Sequence, residues 1–331
     1  MIRILKWLFA TIGVALAAVL VLFLGTRGEY QVLSLVTDDA SLPSVTISGI
    51  ALHVRVIEGP PDADAIIVLH GGPGHDFRSL EGLAALSDSY RVIFYDQRGA
   101  GLSERVPAED LTLEGHVVEL GAVIDHFAPE GRPILIGHSW GATLAAAYLG
   151  QRPDDVARAI LIEPGYLDAA GRMRWREESK LYMSGPAYLR EAIVTGFRAQ
   201  HVTGPDLSAQ DDFLVGQMVH YFADHPENPY HCGSGYSAPS WRFGALSNQT
   251  MDAIPEIEIN RIAANASVFD GLVLFMTGAC NDWIGEPLQS EHLSRFADAT
   301  LVVVPDAGHD VIWDNPDATL TIIRAFLQTS N

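Results

Sequence analysis

Residues 133–149, PILIGHSWGATLAAAYL, constrain this chain more than any other stretch. Residues 133–136 have strand character and run into Gly137-His138-Ser139-Trp140-Gly141, and a small-residue helix pattern follows at once. A strand, a sharp turn and a helix with Gly-x-Ser-x-Gly at the corner form the pattern of a nucleophile elbow. The residue types follow from the geometry. The serine must sit on a strained turn for its oxygen to project from the sheet edge, and only glycine at the flanks avoids neighbouring backbone. The helix starting at the turn aims free N–H groups and the positive end of its dipole at developing negative charge. As five bare residues the pattern is common by chance, and a glycine-rich turn with an incidental serine would match it. The strand before and the helix after make it specific.

The segments around it alternate between strand and helix patterns. Residues 45–57 alternate in polarity about a Ser-Gly turn, which predicts an opening antiparallel hairpin. Residues 65–69 are a continuous apolar run of buried-strand type delivering His70-Gly71-Gly72-Pro73-Gly74. Residues 80–86 read as a helix, and 91–95 as a strand ending in Asp96-Gln97-Arg98-Gly99-Ala100-Gly101. Residues 113–127 place Val117, Leu120, Val123, Ile124 and Phe127 on one helical face, with Thr112 as N-cap. A strand at 159–162 follows the elbow. The pattern then breaks at Glu163-Pro164 into aromatic, mainly helical segments with a Pro/Gly-rich patch at 225–239, and resumes with strands at 271–277 and 300–304 and helices near 287–296 and 318–327. This predicts an α/β chain with a mostly parallel, twisted sheet covered on both faces. The expected parts are an N-terminal segment 1–27, a core in two pieces, 28–163 and 263–331, and a helical cap inserted as 164–262.

Composition sets outer limits. With 331 residues, 48% hydrophobic and 19% charged, the chain can bury a large core. A formal net charge of −20 argues against nucleic acid or an anionic membrane surface as partner. Residues 7–25 carry no charge and are long enough to cross a bilayer as a helix, with Arg3 and Lys6 before them. The expectation is an uncleaved signal-anchor with the catalytic domain on the extracytoplasmic side; a cleaved signal peptide is the alternative. Cys232 and Cys280 could pair in an oxidising compartment, and the sequence leaves that open. None of the 12 histidines falls in a metal-ligand spacing, so neither a metal nor another cofactor is expected.

Ser139 needs a base and an orienting acid, expected in the order Ser, acid, His. The base is His309, in a Gly-His loop just past the last predicted strand. The acid chosen is Asp282, after the preceding strand, with Asn281 beside it. Asp306 is too near the histidine, and Asp270 stands at the wrong strand end. The oxyanion hole is expected from the backbone N–H groups of Trp140 and Gly72. Gly71-Gly72-Pro73-Gly74 lacks the ending of a phosphate loop, and Gly99-Ala100-Gly101 lacks the third glycine of a dinucleotide fingerprint.

Taken together, His70-Gly71-Gly72-Pro73-Gly74, Asp96-Gln97-Arg98-Gly99-Ala100-Gly101-Leu102-Ser103 and Gly137-His138-Ser139-Trp140-Gly141 resemble the proline iminopeptidase (prolyl aminopeptidase) group of the α/β-hydrolases. The resemblance covers about 45–164 and 271–327. It implies an α/β-hydrolase core with a helical cap, no metal, and release of an N-terminal residue, often proline, from short peptides. It also implies Ser139, Asp282 and His309 as the triad. The chain departs from the group in ending its elbow with Gly141-Ala142, in a longer acid loop at 278–282, and in its N-terminal apolar segment. Group members hold the substrate amine with acidic cap residues. Glu177, Glu178, Glu256 and Glu258 are present, but each reads more simply as part of a solvated helix face. Between 164 and 261 there are 12 acidic and 8 basic residues, so the segment is not markedly acidic. An esterase or lactonase on the same machinery therefore stands beside the peptidase reading. A binding protein on a dead hydrolase fold is disfavoured by the intact Ser, His and Asp.

Overall fold

The computed structural model describes residues 2–232 and 238–329, so part of the patch at 225–239 lies outside the described residues. The chain opens with helix α1 (Ile2–Gly25), within which Lys6–Gly25 is long and apolar enough to cross a membrane, with a mean hydropathy of 2.6. Length and composition of this kind also fit a signal sequence. The C-terminal turn of α1 meets the rest of the protein: the Nε2–H of His201 donates to the Phe23 carbonyl at 2.7 Å.

Strands β1 (Ser44–Ile47) and β2 (Ile50–Ile57) form the expected antiparallel hairpin, turning on Ser48 and Gly49 at φ of 51° and 85°. Strands β3 (Ala65–Leu69), β4 (Arg91–Tyr95), β5 (Ile134–His138), β6 (Arg158–Ile162), β7 (Val273–Gly278) and β8 (Ala299–Val304) complete one sheet in the order β1-β2-β4-β3-β5-β6-β7-β8. Pairing is parallel from β4 through β8. The apolar runs of the central strands need cover on both faces, because successive side chains point to opposite sides. Ile67 and Leu69 join the cluster under α2 (Leu113–Phe127) and α3 (Trp140–Gln151). Ile66 and Val68 join Leu80, Leu83, Ile323 and Phe326 on the other side.

One local expectation changes. The helix read at 80–86 is a 3₁₀ helix over Phe77–Asp88. Its buried residues, Phe77, Leu80, Leu83 and Leu86, recur at every third position. That spacing eclipses side chains at three residues per turn, as a 3₁₀ helix requires.

Helices α4 (Ala169–Tyr182), α5 (Gly185–Ala199), α6 (Ala209–Ala223), α7 (Ala245–Asp252) and α8 (Glu256–Ile259) stand between β6 and β7. Helix α9 (Glu286–Leu293) precedes β8, and α10 (Val311–Asp314) and α11 (Pro316–Leu327) follow it. A buried ion network fastens this region to the sheet domain. Asp212 Oδ2 takes Arg105 Nη2 at 2.9 Å and Arg242 Nε at 2.7 Å, while Arg242 Nη1 reaches Asp206 Oδ2 at 2.6 Å and the Leu33 carbonyl at 2.8 Å. Asp212 Oδ1 also accepts the Ala245 N–H at 3.0 Å. Nearby, Asp76 Oδ2 accepts the Trp241 N–H at 2.5 Å. Cys232 and Cys280 are joined as a disulfide across 48 residues, tying the chain after α6 to the loop after β7.

Removing one member of a buried ion network leaves the others uncompensated. Asp212→Ala should therefore lower unfolding stability by about 3–5 kcal/mol, read from the urea midpoint. A midpoint unchanged from the parent would show that the network does not fasten these helices.

Candidate active site

Ser139 sits between β5 and α3 at φ 53° and ψ −116°, a left-handed conformation that L side chains rarely adopt. The Ser139 N–H donates to the Ile162 carbonyl of β6 at 2.8 Å, and the Ser139 carbonyl accepts from Ala142 and Thr143, both at 3.1 Å. The flanking glycines are sterically required. A Cβ on Gly137 would lie 2.5 Å from the Gly141 oxygen, and one on Gly141 would lie 2.1 Å from the Leu69 oxygen.

His309 follows β8. Its backbone N–H donates to the Tyr230 carbonyl at 2.7 Å, its carbonyl accepts from His138 Nε2 at 2.9 Å, and its ring stacks on Tyr230 with centroids 4.4 Å apart. Ser139 and His309 line one cavity of about 940 Å³, walled by residues of α4, α6 and α7.

The acid facing His309 is not Asp282. His309 Nδ1 lies 2.6 Å from Oε2 of Glu163, the residue just after β6. Glu163 is fully buried and has φ 45°, which turns its side chain back toward the sheet edge. Three further donors hold it: Thr277 Oγ1 at 2.6 Å and the Gly278 N–H at 2.7 Å on Oε1, and Asn281 Nδ2 at 2.7 Å on Oε2. Asp282 is exposed, and its backbone N–H donates to the Pro229 carbonyl at 3.0 Å. The loop after β7 therefore contributes Asn281, which orients Glu163, and points the neighbouring carboxylate to solvent. A glutamate closing the apolar run Ala159-Ile160-Leu161-Ile162, on the strand next to the serine's, was the signal available in the sequence.

The electrostatics strengthen His309 as a base. Burial alone lowers the basicity of His309, but the hydrogen bond to Glu163, its charge and that of Asp310 outweigh burial, leaving the pKa above that of an ordinary histidine. Burial, and then the neighbouring His309, hold His138 below the ordinary value. A neutral His138 donates through Nε2 to the His309 carbonyl.

Gly72 and Trp140, the residues expected to supply oxyanion donors, line the same cavity. Trp140 opens α3, where the N–H groups of the first turn have no intrahelical acceptor. Gly71 packs directly on the serine, since a Cβ there would lie 3.1 Å from Ser139 Cβ. Gly72 has φ 121°, accessible without strain only to glycine. Behind this loop runs a polar brace that the sequence did not reveal. Gln97 N–H donates to His70 Nε2 at 2.9 Å, so His70 carries its proton on Nδ1 and donates to the Gly71 carbonyl at 2.8 Å. Gln97 Nε2 donates to the His70 carbonyl at 3.0 Å, and Gln97 Oε1 accepts from Trp140 Nε1 at 3.0 Å.

The cap glutamates lie elsewhere. Among the described residues the cavity's acidic members are Asp252 and Asp310; Glu177, Glu178, Glu256 and Glu258 are not in its wall. Asp252 pairs with Arg176 at 2.8 Å. The Asp310 carboxylate makes no hydrogen bond among the described residues, and Oδ1 lies 3.9 Å from His138 Nε2.

The model of the alpha/beta hydrolase fold family matches residues 64–316. The chain is 28% identical over 301 residues to the proline iminopeptidase PfmaB of Pestalotiopsis fici, covering 86% of this chain and 98% of that protein. The crystal structure of a Mycobacterium smegmatis proline iminopeptidase superposes with a TM-score of 0.56 at 22% identity, over 86% of this chain and 97% of that one. The structure of Est816, an N-acyl homoserine lactone degrading enzyme, superposes with a TM-score of 0.60 at 18% identity, over 86% and 100%. At these identities the two structures speak for the fold alone. The chain belongs to the α/β-hydrolase family, and its sequence relatives support a place in the proline iminopeptidase group of that family.

Proposed function

We propose that the protein is a serine hydrolase working through an acyl-enzyme, with Ser139 as nucleophile, His309 as base and Glu163 as the orienting carboxylate. The observation that carries this reading is the 2.6 Å contact of buried Glu163 with His309, which lines the same cavity as the strained Ser139. His309 takes the Ser139 proton as the oxygen attacks the scissile carbonyl, and Glu163 stabilises the imidazolium. Trp140 and Gly72 N–H groups stabilise the oxyanion. The imidazolium then protonates the leaving group, and water repeats the sequence to free the acid. Residues 164–262 act as a cap that walls the cavity and limits water around the reacting centre.

The substrate reading is release of an N-terminal residue from a short peptide, as the relatives suggest. The Asp310 carboxylate, which makes no hydrogen bond among the described residues and lies 3.9 Å from His138 Nε2, supports it, because a substrate amine needs an anion nearby. Ester or lactone cleavage is the second reading, favoured by the apolar wall of Leu214, Met218, Val219, Phe222 and Phe243. We place α1 as a signal-anchor with this domain on the extracytoplasmic side. Lys6 before the apolar run and the Cys232–Cys280 disulfide, which suits an oxidising compartment, both support that placement. A C-terminal reporter active only in the cytoplasm would contradict it.

Full-length enzyme should cleave a proline anilide and not its N-acetyl form, and Ser139→Ala should abolish the activity. Cleavage of a short-chain nitrophenyl ester alone, lost in Ser139→Ala, would move the assignment to esterase. No turnover of any of them would contradict the hydrolase reading.

Glu163→Gln should lower kcat by about 10³–10⁴, because one end of the amide would present a donor to groups that are themselves donors. The pH profile supplies a separate check. Free-base His309 is required, so kcat/KM should fall as pH drops through a pKa above about 6.5, the ordinary histidine value. Loss of the Glu163 charge should move that acid limb to lower pH. A limb that stays in place would show that Glu163 does not set it.

A further inference from the structure

Helix α4 turns one face toward the catalytic cavity with Arg172, Arg176 and Lys180 at successive four-residue steps. Arg176 is neutralised by Asp252 at 2.8 Å. Arg172 has no such partner. It is 5% exposed, its Nη1 donates to the Ile254 carbonyl at 2.7 Å, and no carboxylate pairs with it among the described residues. A guanidinium has five N–H donors, and a carbonyl can occupy one or two of them without balancing the charge. A buried cation left in this state is unfavourable unless something anionic completes it. Lys180, in the same wall, also lacks an ion pair among the described residues.

The site lies close to the reacting centre. Thr143, one turn beyond Ser139, donates to the Tyr166 carbonyl at 3.2 Å, and Tyr166 packs on the turn of α4 that carries Arg172, where a Cβ on Gly171 would lie 3.1 Å from Tyr166 Cβ. Tyr166 lines the cavity too, and burial keeps its hydroxyl protonated, with its pKa raised to about 12. A forked guanidinium beside a phenol donor matches the two oxygens of a carboxylate.

We infer that Arg172 is the anion subsite of the catalytic cavity and that the substrate carries a carboxylate remote from the scissile bond. The inference rests on the hydrolase reading above and narrows its substrate class. The carboxylate can belong to the leaving part, as in a short peptide with a free C-terminus, or to the acyl part, as in a half-ester of a dicarboxylic acid.

Two matched pairs separate these sources. The first compares Pro-Gly with Pro-Gly amide, and the second the nitrophenyl half-ester of glutarate with nitrophenyl pentanoate. Full-length enzyme should prefer the charged member of one pair in kcat/KM. Arg172→Gln should reduce that charged-to-neutral ratio about 10- to 100-fold, whatever loss both members share from a looser α4. Arg172→Lys, which keeps the charge and loses the fork, should fall between. A ratio that Arg172→Gln leaves unmoved in both pairs would overturn the inference while the hydrolase reading stands. If no compound in either pair is turned over, glutarate binding by calorimetry decides: binding lost in Arg172→Gln supports the subsite, and binding equal in both proteins, or absent from both, refutes it.

Discussion

The site depends on one buried carboxylate. Glu163 lies in the sheet edge between the serine's strand and β7, where an unpaired charge would be strongly unfavourable. Four donors surround it, from His309, Thr277, Gly278 and Asn281. They satisfy the carboxylate and fix its direction, and so fix the imidazole. The His309 carbonyl and N–H are held in turn by His138 and Tyr230. The histidine is therefore restrained at its ring and at both backbone polar groups, which is the preorganisation that proton transfer in a nucleophilic mechanism requires.

The region between β6 and β7 is part of the same construction. Tyr230 reaches His309 from this region, and two residues later Cys232 is bonded to Cys280 in the loop that also carries Asn281. Asp212 and Arg242 join this region to Arg105 and the Leu33 carbonyl on the sheet side. The helices that wall the cavity are thus anchored at several separated points. A wall anchored this way can hold charged side chains such as Arg172 in fixed positions, so the cavity can select by charge as well as by shape.

The sheet was legible because its central strands are short, wholly apolar runs bounded by glycine, proline or charge. Residues 65–69 and 91–95 match β3 and β4 as read. The elbow was legible because its glycines answer to local backbone contacts, which a sequence motif records. The acid was not. Asp282 follows a strand at the expected place in the chain, but whether a loop residue points inward depends on how the loop folds, and here Asn281 took the inner position. Glu163 read as a boundary before Pro164, since its inward turn comes from a positive φ that nothing in its side chain announces. Asp310 and Arg172 were equally silent, because the lack of an ion pair for Arg172, or of a hydrogen bond for the Asp310 carboxylate, among the described residues is visible only once their neighbours are in place.

In the proposed mechanism Glu163, and not Asp282, supports the base that activates Ser139. The most direct test is the rate at which a fluorophosphonate labels the protein, with the modified residue located by peptide mass spectrometry. A single adduct on Ser139 is expected, forming far more slowly in Glu163→Gln and at the parent rate in Asp282→Asn. An adduct at another residue, or slow labelling in Asp282→Asn with parent-like labelling in Glu163→Gln, would contradict it.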